Sequence, residues 1–344
     1  MTRLVCASLL AIGVLAVGCG DDAAKGNPDG SVVDAAGAAD AAPDAAPVPT
    51  AERGKYIVDH LAACADCHTP RDKSGAPDLT RYLAGADCFI DIAPQDGQVG
   101  CLSSRNLTNH ATGLMTRTDA QIKAMFQDGK RPDNTALIPV MPYYIFHNMA
   151  TVDADSVVLY LRTVPGVDHT IQPNQPPFNT PPAQPAPPLS PTDIPQPTTV
   201  DAHTTRGRYL ASMIGLCIEC HTPRTNPQDF RSLDTTKMFA GGDGFPAAAL
   251  GLPSPPFPEV IFTSNITPHA TTGIGDYSKA DIVKVLKQGI DKEGHGLCPP
   301  MPAGPMGAYG GLTDDDANDM AAYLLALPPV ENMVAPECTP PAGP

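Results

Sequence analysis

The chain contains two copies of a short motif in which two cysteines and a histidine keep a fixed spacing. The first copy is Cys64-Ala65-Asp66-Cys67-His68 and the second is Cys217-Ile218-Glu219-Cys220-His221. Two thiols three positions apart can each form a thioether with one porphyrin edge, and the histidine that follows can ligate the iron. A C-x-x-C pair alone would also suit zinc or a redox dithiol, but the adjacent histidine, present twice, favours haem. We therefore expect two covalently bound haem c groups.

A methionine followed by proline lies downstream of each motif, at Met141 and at Met301. A thioether in a proline-restricted loop suits the distal side of a haem. His/Met ligation fills both axial positions of the iron, so the iron passes electrons and does not bind substrate. We therefore predict that His68 and Met141 ligate one iron, and that His221 and Met301 ligate the other.

Six of the ten cysteines lie outside the two motifs. Cys6 and Cys19 belong to the N-terminal segment, and the remaining four are even in number, as expected of disulfides in an exported chain. We predict the pairs Cys88–Cys101 and Cys298–Cys338. In the second unit the distal ligand has two alternatives to Met301, because Met306 lies nearby and a Cys298 thiolate could also ligate haem.

Each motif is followed by Thr-Pro-Arg, which places Arg71 and Arg224 close to the attachment site. A guanidinium group matches a carboxylate in a two-pronged fashion, so both arginines are candidate contacts of the haem propionates. The alternative is a solvated arginine. His110 and His269, in matched loops, are candidates for propionate contact or alternative ligation, but a hydrogen-bonded loop histidine is the favoured interpretation.

The N-terminus reads as an export signal over residues 1–18, with Arg3 before an apolar run. It ends in Leu15-Ala16-Val17-Gly18-Cys19, which resembles a bacterial lipobox, so Cys19 is the predicted lipidation site. Residues 19–49 are rich in Ala, Asp, Pro and Gly and predict a flexible tether to a membrane. We expect a lipoprotein of the bacterial cell envelope, facing the periplasm or the cell surface. An ordinary signal-peptidase site is the alternative.

The composition limits the classes of partner. The formal net charge is −15, without the clustered basic residues that phosphate contact needs, so no nucleic acid partner is expected. The chain has no Trp and 40 Pro, which is poor material for one large core. Two small domains, each completed by a haem, fit the composition better.

The two halves of the chain are repeats. Gly54 and Tyr56 recur as Gly207 and Tyr209, at the same offset as the two motifs. We predict a first domain at 50–165, a Pro-rich extended linker at 166–202, a second domain at 203–335 and a tail at 336–344. In the first domain, helices are expected over 51–63, from Thr118 to a stop at Gly129, and over 152–163. Gly54 would allow a second helix to pack closely.

Each unit resembles a class I-type cytochrome c domain, with an N-terminal helix, C-x-x-C-H, a Met-Pro loop and a C-terminal helix. The string Asn265-Ile266-Thr267-Pro268, with Met301-Pro302, resembles the cytochrome c subunits of membrane-associated alcohol, aldehyde and gluconate dehydrogenases. The resemblance implies an all-α fold of two tandem domains and one-electron transfer with a redox partner, which could be a dehydrogenase, an oxidase or another cytochrome. The rival hypotheses are a dihaem peroxidase, a sulfur-compound dehydrogenase with one non-Met haem, and a haem protein for storage or adhesion.

Overall fold

The structure is a computed structural model that describes residues 47–334 and residue 338, apart from residues 74, 96, 97, 228 and 253. The predictions for the signal peptide, for Cys19 and for most of the tether lie outside the described residues, as does most of the tail. Within the described part, no helix combines the length and the apolar character that a membrane crossing requires.

The described residues form nine α-helices in two matched sets. The first set is α1 (Ala51–Tyr56), α2 (Cys64–His68), α3 (Asp119–Asp128), α4 (Tyr143–Phe146) and α5 (Thr151–Thr163). The second set is α6 (Ala202–Tyr209), α7 (Cys217–Cys220), α8 (Lys279–Gln288) and α9 (Asp314–Leu325). Residues 51–163 are called the first repeat below, and residues 202–325 the second repeat.

Local sequence explains where these helices begin and end. Thr118 and Ser278 each form a capping box with the third helical residue, which satisfies the free N–H groups of α3 and α8. Both helices end at glycines in the left-handed conformation, Gly129 with φ 63° and Gly289 with φ 68°. The predicted start at Thr118 and stop at Gly129 are confirmed.

The helix before each cysteine motif widens into one π-helical turn. Helix α1 continues as a π-helix over Ile57–Leu61, and α6 continues over Leu210–Ile214. In both turns most of the apolar side chains are fully buried. The prediction of a single α-helix over 51–63 therefore missed a change of winding, of a kind often found next to functional sites.

The N-terminal and C-terminal helices of each repeat cross at a glycine. A Cβ atom added at Gly54 would overlap the carbonyl oxygen of Ser156 on α5, and one at Gly207 would overlap that of Asp319 on α9. The absent side chain therefore lets the two backbones touch, which confirms the close packing expected at Gly54. The second repeat uses the same crossing.

The sequence led us to expect an all-α fold, but the described residues contain strands as well as helices. Two antiparallel hairpins are present among the described residues, β1 (Ile90–Gln95) with β2 (Gln98–Leu102), and β3 (Gly244–Pro246) with β4 (Val260–Phe262). These strands are short and lie in long loops, where the alternation of apolar and polar residues is too brief to mark a strand. The first hairpin also carries Cys101, which pairs with Cys88.

The Pro-rich segment packs against both repeats. It has neither helix nor strand between residues 165 and 201, as expected of its prolines. However, Ile194 is fully buried, and the N–H of Ala186 donates to the Tyr143 hydroxyl at 2.7 Å. An extended backbone has free polar groups, and here neighbouring side chains satisfy them. The described residues from Pro47 onward group into one compact unit by their contacts.

The two repeats are joined by a reciprocal pair of hydrogen bonds. Tyr56 of the first repeat donates its hydroxyl to Asp316 of the second at 2.8 Å. Tyr209 of the second repeat donates to Asp153 of the first, also at 2.8 Å. Because the tyrosines are equivalent and the aspartates are equivalent, the repeats face each other with approximate twofold symmetry.

Each of these aspartates also pairs with an arginine of its own repeat. Arg53 donates to the two oxygens of Asp153, at 2.8 and 3.0 Å, whereas Arg206 donates through two nitrogens to the single oxygen Oδ1 of Asp316. Both carboxylates are buried, so these partners compensate for their loss of water.

Candidate haem-attachment sites

The four motif cysteines are free thiols on short helical turns. Cys64 and Cys67 lie on α2, and Cys217 and Cys220 lie on α7. Residues three apart in a helix share a face, so each pair presents both sulfurs to the same side. Burial raises the pKa of Cys64 to about 12 and that of Cys217 to about 11, which keeps both as neutral thiols.

The motif histidines have one nitrogen fixed by the backbone. His68 Nδ1 lies 2.7 Å from the carbonyl oxygen of Arg105, and His221 Nδ1 lies 2.7 Å from that of Ser264. A carbonyl only accepts, so Nδ1 must carry the proton and Nε2 must hold the lone pair. Burial also lowers the pKa of both imidazoles, so they are neutral at neutral pH. This tautomer leaves Nε2 able to ligate a metal.

A repeated asparagine holds the loop that supplies each carbonyl. Asn106 follows Arg105, and its side-chain oxygen accepts from the N–H and the hydroxyl of Thr108 at 2.9 and 2.7 Å. Asn265 follows Ser264 and makes the same pair of bonds with Thr267 at 3.0 and 2.7 Å. The sequence patterns assigned no structural role to Asn106 or Asn265 themselves, although the Asn-x-Thr pattern in both repeats was the available signal.

The two Met-Pro loops share a backbone turn. The N–H of Met141 donates to the carbonyl of Ile138 at 3.2 Å, and that of Met301 donates to the carbonyl of Cys298 at 3.3 Å. Both methionines are partly buried and pack against the apolar core. Their equivalent placement is what a pair of equivalent distal ligands would require.

The alternatives to Met301 have unsuitable surroundings. Met306 is fully exposed, and Cys298 forms a disulfide with Cys338. A sulfur in a disulfide has no thiolate to offer to iron. The structure thus contains both of the disulfides expected from the sequence, Cys88–Cys101 and Cys298–Cys338.

The two candidate propionate contacts differ in their surroundings. Arg71 is exposed, and its guanidinium donates to the carbonyl of Gly75 at 2.8 Å. The side chain of Arg224 is 6% exposed and pairs with two carboxylates of the protein, Asp243 and Glu219. A propionate at Arg224 would have to compete with these partners, so the two propionate contacts stay predictions.

The two loop histidines bond to threonines of their own loops. His110 Nδ1 lies 2.9 Å from the Thr112 hydroxyl, and His269 Nδ1 lies 2.8 Å from the Thr272 hydroxyl. These contacts agree with the interpretation of both residues as hydrogen-bonded loop histidines.

A buried polar cluster links the first repeat to the second motif. Tyr144 of α4 donates its hydroxyl to Glu219 at 3.2 Å, inside the second motif. Burial raises the pKa of Glu219 to about 7, while the Arg224 guanidinium opposes the shift. Desolvation by surrounding atoms raises the pKa of the Cys67 thiol, although the residue is exposed, and the Asp66 and Glu219 carboxylates add to that shift. The two motifs therefore lie close enough for their charges to interact.

The residues present fit a covalently attached haem in each repeat. Both sites have two free thiols on one helical face, a neutral imidazole with its Nε2 lone pair available, and a partly buried methionine in a matched loop. This donor set of sulfur and imidazole suits haem iron.

No protein-family model matches the chain. It is 28% identical over 301 residues to the cytochrome c subunit of an alcohol dehydrogenase (quinone) of Gluconacetobacter polyoxogenes, covering 81% of this chain and 56% of that subunit. It is 30% identical over 303 residues to the fructose dehydrogenase cytochrome subunit of Gluconobacter japonicus, covering 83% and 54%. A diheme cytochrome c-type of Cereibacter sphaeroides is 28% identical over 290 residues, covering 82% and 87%.

The homologues of this chain are thus dehydrogenase cytochrome c subunits and a dihaem cytochrome c. The chain spans little more than half the length of the dehydrogenase subunits. Homology to these proteins is consistent with two covalently bound haem c groups, as the two motifs predicted.

Proposed function

We propose that this chain is a dihaem electron carrier that passes single electrons between redox partners outside the cytoplasm. The observation that carries the proposal is the pair of identically anchored histidines, each behind a C-x-x-C thiol pair and each matched to a Met-Pro loop. When bound, haem c supplies reversible one-electron chemistry at iron.

In each site the protein holds the donors and excludes other ligands. Cys64, Cys67, Cys217 and Cys220 would form the thioethers. His68 and His221 would supply the imidazole nitrogen, and the backbone carbonyls at Nδ1 fix the orientation of each ring. Met141 and Met301 would supply the thioether sulfur, which would raise the reduction potential. With both donors bound, neither site would be open to a substrate.

The partner in this proposal is a dehydrogenase, because the cytochrome subunits of such enzymes are among the homologues. The net charge of −15 favours a docking patch on the partner that is neutral or positive. Lipidation of Cys19 would hold the carrier at the cell envelope, and residues 19–49 would give it reach. Purification of the native lipoprotein with its bound partner, followed by identification of that partner, tests this part of the proposal.

The ligand assignment is tested on the full-length holoprotein. Two haems per chain are expected, each with the optical and magnetic-resonance spectrum of His/Met ligation. Met141→Ala and Met301→Ala should each open one reduced haem to carbon monoxide and lower its potential. Wild-type protein with a vacant haem and peroxide turnover would instead favour a peroxidase, and unchanged spectra in both variants would refute the methionine assignment.

A further inference from the structure

The chain that follows α9 runs along the loops on the proximal side of the second site. The carbonyl of Val330 accepts from Asn265 at 2.8 Å, and the side chain of Asn332 donates to the carbonyl of Ala240 at 3.0 Å. Asn265 adjoins Ser264, whose carbonyl holds the His221 ring. The end of the second repeat is therefore bound to the loops that orient the proximal histidine.

Six residues after Asn332, the same segment is bonded covalently to the distal side. Cys338 forms its disulfide with Cys298, which begins the turn that ends at Met301. The N–H of Met301 closes this turn on the Cys298 carbonyl at 3.3 Å. One stretch of chain thus ties the loops around His221 to the loop that carries Met301.

The first repeat makes an equivalent connection without a disulfide. The carbonyl of Val167, after α5, accepts from Asn106 at 2.9 Å, on the proximal side of that site. Further along, the N–H of Ala186 donates to the Tyr143 hydroxyl at 2.7 Å, two residues beyond Met141. In this repeat Ile138 occupies the place of Cys298 in the turn. The first repeat closes its distal loop with the Pro-rich segment at the buried Ala186, and the second closes it with Cys298–Cys338.

We propose that Cys298 and Cys338 are positioning residues that hold Met301 at the distal position of the second haem. This inference rests on the proposed function, because it takes Met301 to be an iron ligand. The loop around Met301 contains Gly304 and Gly307 and leads to the fully exposed Met306. After Met301 it is held by backbone bonds, such as that from the Gly304 N–H to the Leu286 carbonyl at 3.0 Å. A covalent tie limits how far the loop can open and so keeps the sulfur close to the iron.

The test compares matched pairs of substitutions in the full-length holoprotein. The test variant combines Cys298→Ser with Cys338→Ser, so that no free thiol replaces the methionine. The control combines Cys88→Ser with Cys101→Ser, which removes the other disulfide, in a hairpin of the first repeat. In the test variant, carbon monoxide should bind one of the two reduced haems faster than in wild type, by on the order of tenfold. The potential of that haem should fall towards that of Met301→Ala, while the control keeps both haems closed.

A second measurement breaks the Cys298–Cys338 disulfide in protein that has already folded, so that the test does not depend on folding of the test variant. Folded control protein is treated with dithiothreitol, which breaks the remaining Cys298–Cys338 bond by two thiol–disulfide exchanges. Both cysteine sulfurs take protons and the reagent closes into its own cyclic disulfide. Carbon monoxide binding at one haem should then increase as in the test variant.

Three results decide whether Cys298 and Cys338 position Met301. An increase at one haem in either measurement, absent from the control variant before dithiothreitol treatment, supports the inference. Unchanged binding after loss of the disulfide refutes it and leaves the electron-carrier proposal standing. If wild-type protein already binds carbon monoxide at the second haem, and Met301→Ala does not alter this, both the positioning role and the Met301 ligand assignment fail.

Discussion

Removing the Tyr56 hydroxyl tests how strongly the two repeats are joined. Tyr56→Phe keeps the ring but deletes one donor to the buried carboxylate of Asp316, at 2.8 Å. It also deletes the acceptor for the N–H of Thr313, at 3.0 Å. Asp316 keeps its Arg206 partner, so its charge is not left alone. Hydrogen bonds to charged groups contribute about 1.5–3 kcal/mol, and we therefore expect the variant to lose about 2 kcal/mol of unfolding free energy.

The measurement is urea unfolding of the holoprotein, followed by haem absorbance and by far-ultraviolet circular dichroism. Tyr160→Phe is the matched control, because its hydroxyl donates to the neutral Tyr82 hydroxyl at 3.3 Å, within the first repeat, and to no carboxylate among the described residues. The control should lose about 1 kcal/mol or less. In a double-mutant cycle with Asp316→Asn, a large part of the Tyr56 effect should disappear.

The equivalent tyrosine of the second repeat provides a second test of how the repeats are joined. Tyr209 contacts Asp153 at 2.8 Å and the N–H of Ala150 at 2.9 Å, so Tyr209→Phe should have the same effect as Tyr56→Phe. If Tyr56→Phe is no more destabilising than Tyr160→Phe, or if it shows no coupling to Asp316, the reciprocal bonds do not stabilise the interface and the argument is refuted.

Two other substitutions test the packing and the buried charge. Gly207→Ala should lower the unfolding free energy by about 3 kcal/mol or more, because its Cβ would overlap the backbone of α9; an unfolding titration showing less than about 1 kcal/mol would contradict this. Burial raises the pKa of Glu219 to about 7 from 4.5, so its contribution to stability is fully present below pH 4.5 and is lost as the pH rises through 7. That change is worth about 3 kcal/mol, and Glu219→Gln should flatten the stability profile over this range; an unaltered slope would show that Glu219 does not titrate there.

Local structure was the part of the fold that could be predicted best. The start of α3 at Thr118 and its end at Gly129 follow from side chains and conformations that act within one helical turn. The strand β1 (Ile90–Gln95) and the π-helix at Ile57–Leu61 were not predicted. Strands this short and a change of winding have no distinct periodicity of their own, and the packing around them selects them.

The sequence also did not predict that the Pro-rich segment packs against the rest of the protein. Its prolines correctly indicated an extended backbone, but an extended chain can lie in solvent or on a protein surface. Ile194 is fully buried, and its carbonyl accepts from Arg208 of the second repeat at 3.0 Å. Contacts between residues far apart in the chain decide such a question, and composition does not record them.

For the sites, the sequence by itself determined which donors are predicted. Cys64, Cys67 and His68 lie within five residues, so their spacing indicates haem attachment, and the repeat of the motif indicates two sites. Tertiary structure decided how those donors are held and which of the competing donors remain available. The carbonyl at His68 Nδ1 comes from residue 105, and Cys298 is removed as a thiolate by a cysteine forty positions away. Both effects join segments distant in sequence, and only folding brings such segments together.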